Sequence, residues 1–426
     1  QAIAAGDLNG DGHTDLMATE GRGVDVFLGN GDGTFRRGAS YLAWHAVDHL
    51  GLGDVNADGR LDAVVAHDGW TPTSSDSVLS VLLGQGDGTF SSGDGGGVGA
   101  NDRGAYAAPF AGVGTALDAP PRGMVLADVN GDGATDALVG DESYAEVHVF
   151  LGGSDGRLRK HANYRPGVWV VGVAVADADG DGIADLLTAN ANATVTTLRG
   201  LGDGTFARTV DYAIGETPQS VALADLDGDG ILDLIAGKSK YDYTVSVLPG
   251  LGNGKFGGST DWSVGAAPTV VAAADLDGDG NQDLVTANRE QRTFSILLGQ
   301  GDNTFSAPAA YDVAGSPANL AVADLNGDLV PDVVIVSNYE NASTAAVSPA
   351  SVFLGRGDGT FGAEARYPIG SSLTAVDVAD VNGDQIPDLA VTSQGSDQLV
   401  LLAGQGDGTF WRQAAYSAGA DPQALA

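Results

Sequence analysis

The chain has 426 residues, 56 acidic against 20 basic, with a formal net charge of −36 and no cysteine. That balance excludes nucleic acid and anionic membranes as partners, and the absence of thiols excludes disulfides while leaving the compartment open. No run of about 18 apolar residues occurs, so no membrane-spanning helix is expected and membrane insertion is set aside. The acidity is uneven: 7 Glu stand beside 49 Asp, and 27 of those Asp fall in one recurring nine-residue loop.

In chain order, the first copy is Asp7-Leu8-Asn9-Gly10-Asp11-Gly12-His13-Thr14-Asp15, with oxygen side chains at positions 1, 3, 5 and 9. The second carries Asp54, Asn56, Asp58 and Asp62, and departs from the pattern at Ala57 and Arg60. The third carries Asp128, Asn130, Asp132 and Asp136; the fourth Asp177, Asp179, Asp181 and Asp185. The fifth carries Asp225, Asp227, Asp229 and Asp233; the sixth Asp275, Asp277, Asp279 and Asp283. The seventh carries Asp324, Asn326, Asp328 and Asp332, and the eighth Asp380, Asn382, Asp384 and Asp388. In these last two, Leu329 and Gln385 replace the position-6 glycine and Pro331 and Pro387 follow, so loops two, seven and eight are expected to bind more weakly.

Hard oxygen ligands packed this densely repel one another unless a cation lies between them. Flexible coordination by several carboxylates is what Ca²⁺ prefers, whereas Mg²⁺ dehydrates reluctantly and transition metals recruit His or Cys. Position 7 would add a backbone carbonyl, from His13, Arg60, Ala134, Ile183, Ile231, Asn281, Val330 and Ile386 in turn. Up to eight Ca²⁺ would bring the net charge from −36 to −20. The loops are not EF-hands, because position 12 is Ala18, Val65 or Ala236 rather than Glu and the flanks alternate with strand period.

Successive loops start 47, 74, 49, 48, 50, 49 and 56 residues apart. A period near 48 with β-patterning predicts an all-β fold, a β-propeller of eight four-stranded blades, with seven blades the less favoured count. Blade five shows the order: Gln219–Ala224, the acidic loop, Leu232–Ala236, Thr244–Leu248, a tight turn Gly250–Phe256, and an outer strand over Phe256–Val264. The loops thus sit between first and second strands. The turn recurs eight times, worn at Leu158 in blade three and with Asn303 for its second glycine in blade six, and its Phe is expected to plug the seam between blades. One domain covers 1–426, with blades over about 1–47, 48–121, 122–170, 171–218, 219–268, 269–317, 318–373 and 374–422. Residues 423–426 repeat the start of the first strand, so they compete with residues 1–4 for the closing position or lead into further repeats. Residue 1 already lies inside a repeat, so the sequence reads as a mature or excised piece of a longer chain, monomeric or one part of a multidomain protein.

VxxAD, DxDGDGxxDL, the VLLGxGDGTF turn and GxxP before the next strand together resemble the FG-GAP/VCBS repeats, over all of the chain but two insertions. That resemblance implies a propeller like that of the integrin α-subunit, with first-to-second-strand loops binding Ca²⁺ on one face. It also implies a bacterial surface or secreted protein. Calcium-poor cytosol is a bad match for such loops, so an extracellular location is expected.

The loops on the opposite face are where the chain stops repeating, and aromatic residues gather there. Candidate ligand-binding residues are Trp44, His45, Trp70, Arg122, Tyr144, Trp169, Tyr241 and Tyr339. The tryptophans either stack on a sugar ring or anchor a protein partner, or else cap the apolar ends of their blades. Arg122, Asp48, Gln1 and Gln219 share one repeat position, six before the first loop Asp, and are expected at the mouth of the central channel. No Ser/His/Asp spacing stands out, so no catalytic residue is assigned. The reading is therefore a calcium-stabilised extracellular recognition or adhesion module binding a glycan or protein ligand on the face opposite the metal loops. Its alternatives are a secreted polysaccharide lyase, with Arg122, His45 or Arg103 as base, and a scaffold domain of a larger surface protein.

Overall fold

The computed structural model describes residues 2–20, 23–42, 47–67, 77–92, 115–117, 121–141, 145–238, 243–339, 347–417 and 424–425. Every acidic loop joins two antiparallel strands, and its last Asp is the first residue of the second strand, as in Asp233–Lys238 and Asp283–Asn288. The first strands are short and most are rich in Ala, Gly or Val: Ala2–Gly6, Val47–Gly53, Pro121–Ala127, Val170–Ala176, Pro218–Ala224, Pro268–Ala274, Ser316–Ala323 and Leu373–Ala379. Small side chains are what the crowded axis of a ring allows, and most of these strands are only half-buried along the channel. Second strands such as DLLTAN and DLVTAN are buried at every residue, while outer strands such as Thr260–Ser263 are exposed except at half-buried Trp262.

Eight sheets result, each with strand order one-two-three-four and antiparallel neighbours, in an eight-bladed propeller. The apolar core is divided among the seams. Each of eight buried clusters joins two adjacent blades: Phe294 and Ile296 of blade six meet Val333 and Ile335 of blade seven, for example. Ile3, Leu16 and Phe27 of blade one likewise meet Val381, Leu399 and Leu401 of blade eight, closing the ring.

The turn Phe fills the seam as expected, and a latch accompanies it. Tyr41, Tyr164, Tyr212 and Tyr367, on outer strands, accept a hydrogen bond from the backbone N–H of Phe90, Phe206, Phe256 and Phe410 in the next blade, at 2.7–3.2 Å. Each pair of rings meets edge to face with centroids 5.7–5.8 Å apart, the favoured aromatic geometry. Tyr311–Phe361 and Trp262–Phe305 repeat the ring contact. Tyr416 of blade eight accepts from Phe35 of blade one at 3.0 Å, so the closing seam carries the same latch. Between blades two and three, Leu117 and Leu158 pack in its place.

Three details differ from the sequence expectations. The insertion in blade two interrupts the outer strand: Phe90–Ser92 and Thr115–Leu117 both pair with Ser77–Gly84 on either side of it. In blade five the outer strand begins at Thr260, because Gly257-Gly258 weakens strand pairing and leaves Phe256 in an isolated bridge to Gly250. Gln394–Ser396 forms one 3₁₀ turn in a chain expected to be all-β. As for the duplicated ends, Ala424 and Leu425 pair in parallel with Ala2 and Ile3 and also touch the first strand of blade eight, so both segments fit side by side.

Candidate metal loops and the opposite face

Antiparallel order puts each acidic loop and the third-to-fourth-strand turn of the same blade at one end of the sheet, and the loop's last Asp ties them together. Asp283 accepts the Leu276 N–H at 2.9 Å on one carboxylate oxygen and the Gly299 N–H at 2.7 Å on the other. The same pair of bonds recurs in all eight blades, from Leu8 and Gly29 on Asp15 to Val381 and Gly404 on Asp388. All eight of these Asp are buried. Burial pushes the carboxyls of Asp62, Asp136, Asp185 and Asp283 up to about 6, against the pull of their N–H donors. Asp15, Asp233, Asp332 and Asp388 are raised for the same reason.

The first and fifth loop positions accept N–H groups from their own loop in the same way. Asp225 accepts the N–H of Gly228 on one oxygen and of Gly230 on the other, at 2.8 and 2.9 Å. Asp229 then accepts the N–H of Ile231 at 2.8 Å. Position-6 residues need a left-handed backbone (φ 82–88° for Gly182, Gly230 and Gly280), which glycine adopts without strain. Leu329 and Gln385 hold it too, at φ 67° and 66°, and their N–H groups still reach Asp324 and Asp380 at 2.8 Å. The divergent loops seven and eight therefore keep the loop geometry. Loop two does as well, with Ala57 at φ 57° and Gly59 donating to Asp54 at 2.7 Å. Position-7 side chains lie over the turn of their own blade, His13 against Gly31, Arg60 against Gly86 and Ile231 against Gly252.

Loops four, five and six are the ones with Asp at position 3. Asp177, Asp179 and Asp185, then Asp225, Asp227 and Asp229, then Asp275, Asp277 and Asp279, each bring carboxylate oxygens within 4.8 Å of one another, close enough to hold a metal ion. In loops one, two, three and seven the position-3 Asn instead donates its amide to the position-5 Asp, as Asn9 does to Asp11 at 2.9 Å. The donor set is oxygen throughout, which fits a hard cation.

On the opposite face the first strands of blades two to seven each contain a bulge, where the ladder skips one residue. The skipped residues are Asp48, Arg122, Val171, Gln219, Thr269 and Ala318, all different, around the channel mouth. Bulges re-aim side chains in this way beside binding sites. Arg122 and Gln219 are exposed.

Trp169 precedes the first strand of blade four and is 62 % exposed, so it caps nothing. Its φ is 50°, a left-handed value that costs a side chain about 1–2 kcal/mol. Blade six uses Ala267 there, blade seven Gly315 and blade eight Ser372. Val168 and Val171 beside it are also exposed, at 56 % and 42 %, and sequence reasoning missed both. Tyr339 is 37 % exposed. Trp44, His45, Trp70, Tyr144 and Tyr241 lie outside the described residues.

The same end of blade three holds a polar cluster the sequence did not single out. His148 Nε2 lies 3.0 Å from Asp141 Oδ2, both fully buried, and Glu146 nearby accepts from Arg165 at 2.6 Å and from Asn163 at 3.2 Å. A signal for the latch was available: Tyr or Trp stands six residues after the turn residue in seven repeats, from Phe35/Tyr41 to Phe410/Tyr416.

Comparisons with known proteins agree with this construction. The FG-GAP-like repeat profile matches residues 7–65, 128–188, 177–236, 225–286, 275–335 and 334–391, each window opening on or near an acidic loop. No protein of curated function matches the sequence. Among solved structures, a putative 6-phosphogluconolactonase from Bacteroides fragilis is similar at 12 % identity and a TM-score of 0.53, over 86 % of this chain and 98 % of that one. A protein from Lactobacillus plantarum is similar at 15 % identity and 0.52, over 83 % and 95 %. At such identities the likeness is one of fold alone. Among the described residues no helix is long and apolar enough to cross a membrane.

Proposed function

Because this chain belongs to the FG-GAP-like repeat proteins, we propose that it is a calcium-stabilised extracellular recognition module. Its ligand, a glycan or an extracellular protein, lies on the face opposite the acidic loops. The observation that carries the reading is the ring of bulged, unlike residues around the channel mouth, with Trp169 held exposed beside it in a strained backbone.

The division of labour follows from the sheet order. Ca²⁺ bound in the loops would neutralise their carboxylates and fix the loop-bearing end of each blade. The chain's own buried Asp already tie each loop to its turn, so the ring presents a rigid platform at its other end. There Arg122 adds a positive charge that suits an acidic group, Gln219 adds an exposed neutral amide, and Trp169 with Val168 and Val171 adds an apolar surface for a sugar ring or an aliphatic side chain. A rigid frame with varied side chains on one rim suits selective recognition. An extracellular location supports calcium loading, since free calcium is low in cytosol.

Binding of the whole chain to arrays of glycans and extracellular-matrix proteins tests the proposal, with the Arg122→Ala/Trp169→Ala/Val171→Ser triple variant beside it. We expect a saturable ligand whose affinity falls at least about tenfold in the variant, the usual result of losing two or three central contacts. Equal binding by both proteins, or no saturable ligand, would leave a scaffold as the better description.

A further inference from the structure

Loop four brings its own cation. Arg199, on the third strand of blade four (Thr194–Gly200), sets Nε 2.7 Å from Asp179 Oδ2 and Nη2 2.5 Å from Asp181 Oδ2. Those are loop positions 3 and 5, so one guanidinium spans two of the four carboxylates that would surround an ion. The equivalent residue, just before the first turn glycine, is Leu28, Leu83, Leu151, Pro249, Leu298, Leu354 or Ala403 in the other repeats, none of them charged.

The arginine is also seated. A Cβ at Gly254, in the turn of blade five, would lie 3.4 Å from Arg199 Cβ and Cγ, so that turn rests against the arginine stem. The Thr197 hydroxyl donates to the Gly254 carbonyl at 3.1 Å and holds the two blades in this register. Loop five shows a milder version: Asn303, from the turn of blade six, donates to Asp227 at 2.7 Å. Among the described residues no Lys or Arg bridges Asp277 and Asp279 of loop six.

We infer that Arg199 is a built-in counter-ion that stands in for Ca²⁺ in loop four, so the array has one deliberately weak site at a fixed place; the inference rests on the calcium reading above. A guanidinium forming two charge-assisted hydrogen bonds satisfies the carboxylates that otherwise need a divalent ion. To enter, calcium must displace a guanidinium whose stem lies against the turn of the next blade.

Native mass spectrometry of the full chain, equilibrated at one free calcium concentration, counts retained ions in the wild type, Arg199→Leu, Asp177→Ala and the double variant. Leu occupies this position in five other repeats, so the substitution suits the fold. We expect Arg199→Leu to retain one more ion than the wild type, with affinity for that ion raised at least about tenfold by calorimetry. Asp177→Ala alone should lose none, and in the double variant the gain should vanish. Equal counts for wild type and Arg199→Leu, or loss of an ion in Asp177→Ala, would overturn the inference. A wild type without calcium beside an Arg199→Leu protein with one ion would sustain it while removing calcium from the other loops; no ion in either removes both.

Discussion

At the residue scale, the last Asp of each loop is a structural brace before it is a ligand. With Leu276 and Gly299 both donating to Asp283, removing that carboxylate strands two buried N–H groups. Each costs roughly 1–3 kcal/mol unsatisfied, so Asp283→Ala should destabilise the chain by about 2–6 kcal/mol in urea melts run in chelator. Because no metal takes part under those conditions, an unchanged melt would show that the brace is dispensable. The sequence displayed this Asp as one of four equivalent oxygens. It could not display the difference, because the partner glycine lies 14 to 23 residues downstream and is brought close only by the third strand.

At the scale of the element, the recurring unit is a seam. Periodicity made the blades legible, since loops and turns are local and their spacing survives insertion. The seam was half legible: the turn Phe stood out, while its tyrosine partner belongs to the preceding blade's outer strand and contacts it across 42 to 49 residues. Arg199 was invisible for a related reason, since a lone arginine among apolar equivalents looks like drift until its reach is known. Tyr212→Phe keeps the ring but deletes the hydrogen bond to the Phe256 N–H, and should cost about 1–2 kcal/mol in thermal or urea unfolding. Hydrogen exchange should find the junction of blades two and three opening first, because Leu117 and Leu158 offer neither a hydroxyl nor an edge-to-face ring pair.

For the whole molecule, carboxylates dominate the response to conditions. Ligands that bind only the folded state stabilise it by about 3 kcal/mol per site at a hundred times Kd. Several loaded loops would rival the ordinary margin of about 5–15 kcal/mol. We expect chelator to lower Tm by more than about 10 °C. The pH dependence should then reverse sign with metal. In chelator the braces, raised in the folded protein (Asp62 and Asp136 to about 6) above their unfolded value of 3.8, bind more protons folded than unfolded, so acidifying from about pH 7 to 4.5 raises Tm. Asp32, Asp87 and Asp407, held below 3.8 by their Thr hydroxyl partners, oppose this only at lower pH. With calcium present, the same acidification displaces the ion and lowers Tm. Parallel slopes in the two melts would contradict metal binding at the loops.

The latch between Tyr416 and Phe35 has a further consequence, because its two halves stand at opposite ends of the chain. Any arc of blades short of the full circle ends in an unfilled socket on one side and an unseated plug on the other. Such ends are complementary to one another and not to themselves, the heterologous geometry that gives a closed figure when the rotation is right and an open filament when it is not. Fragments made by proteolysis or interrupted synthesis are therefore poised to add head to tail, and completion of the circle within one chain is what keeps the molecule from polymerising.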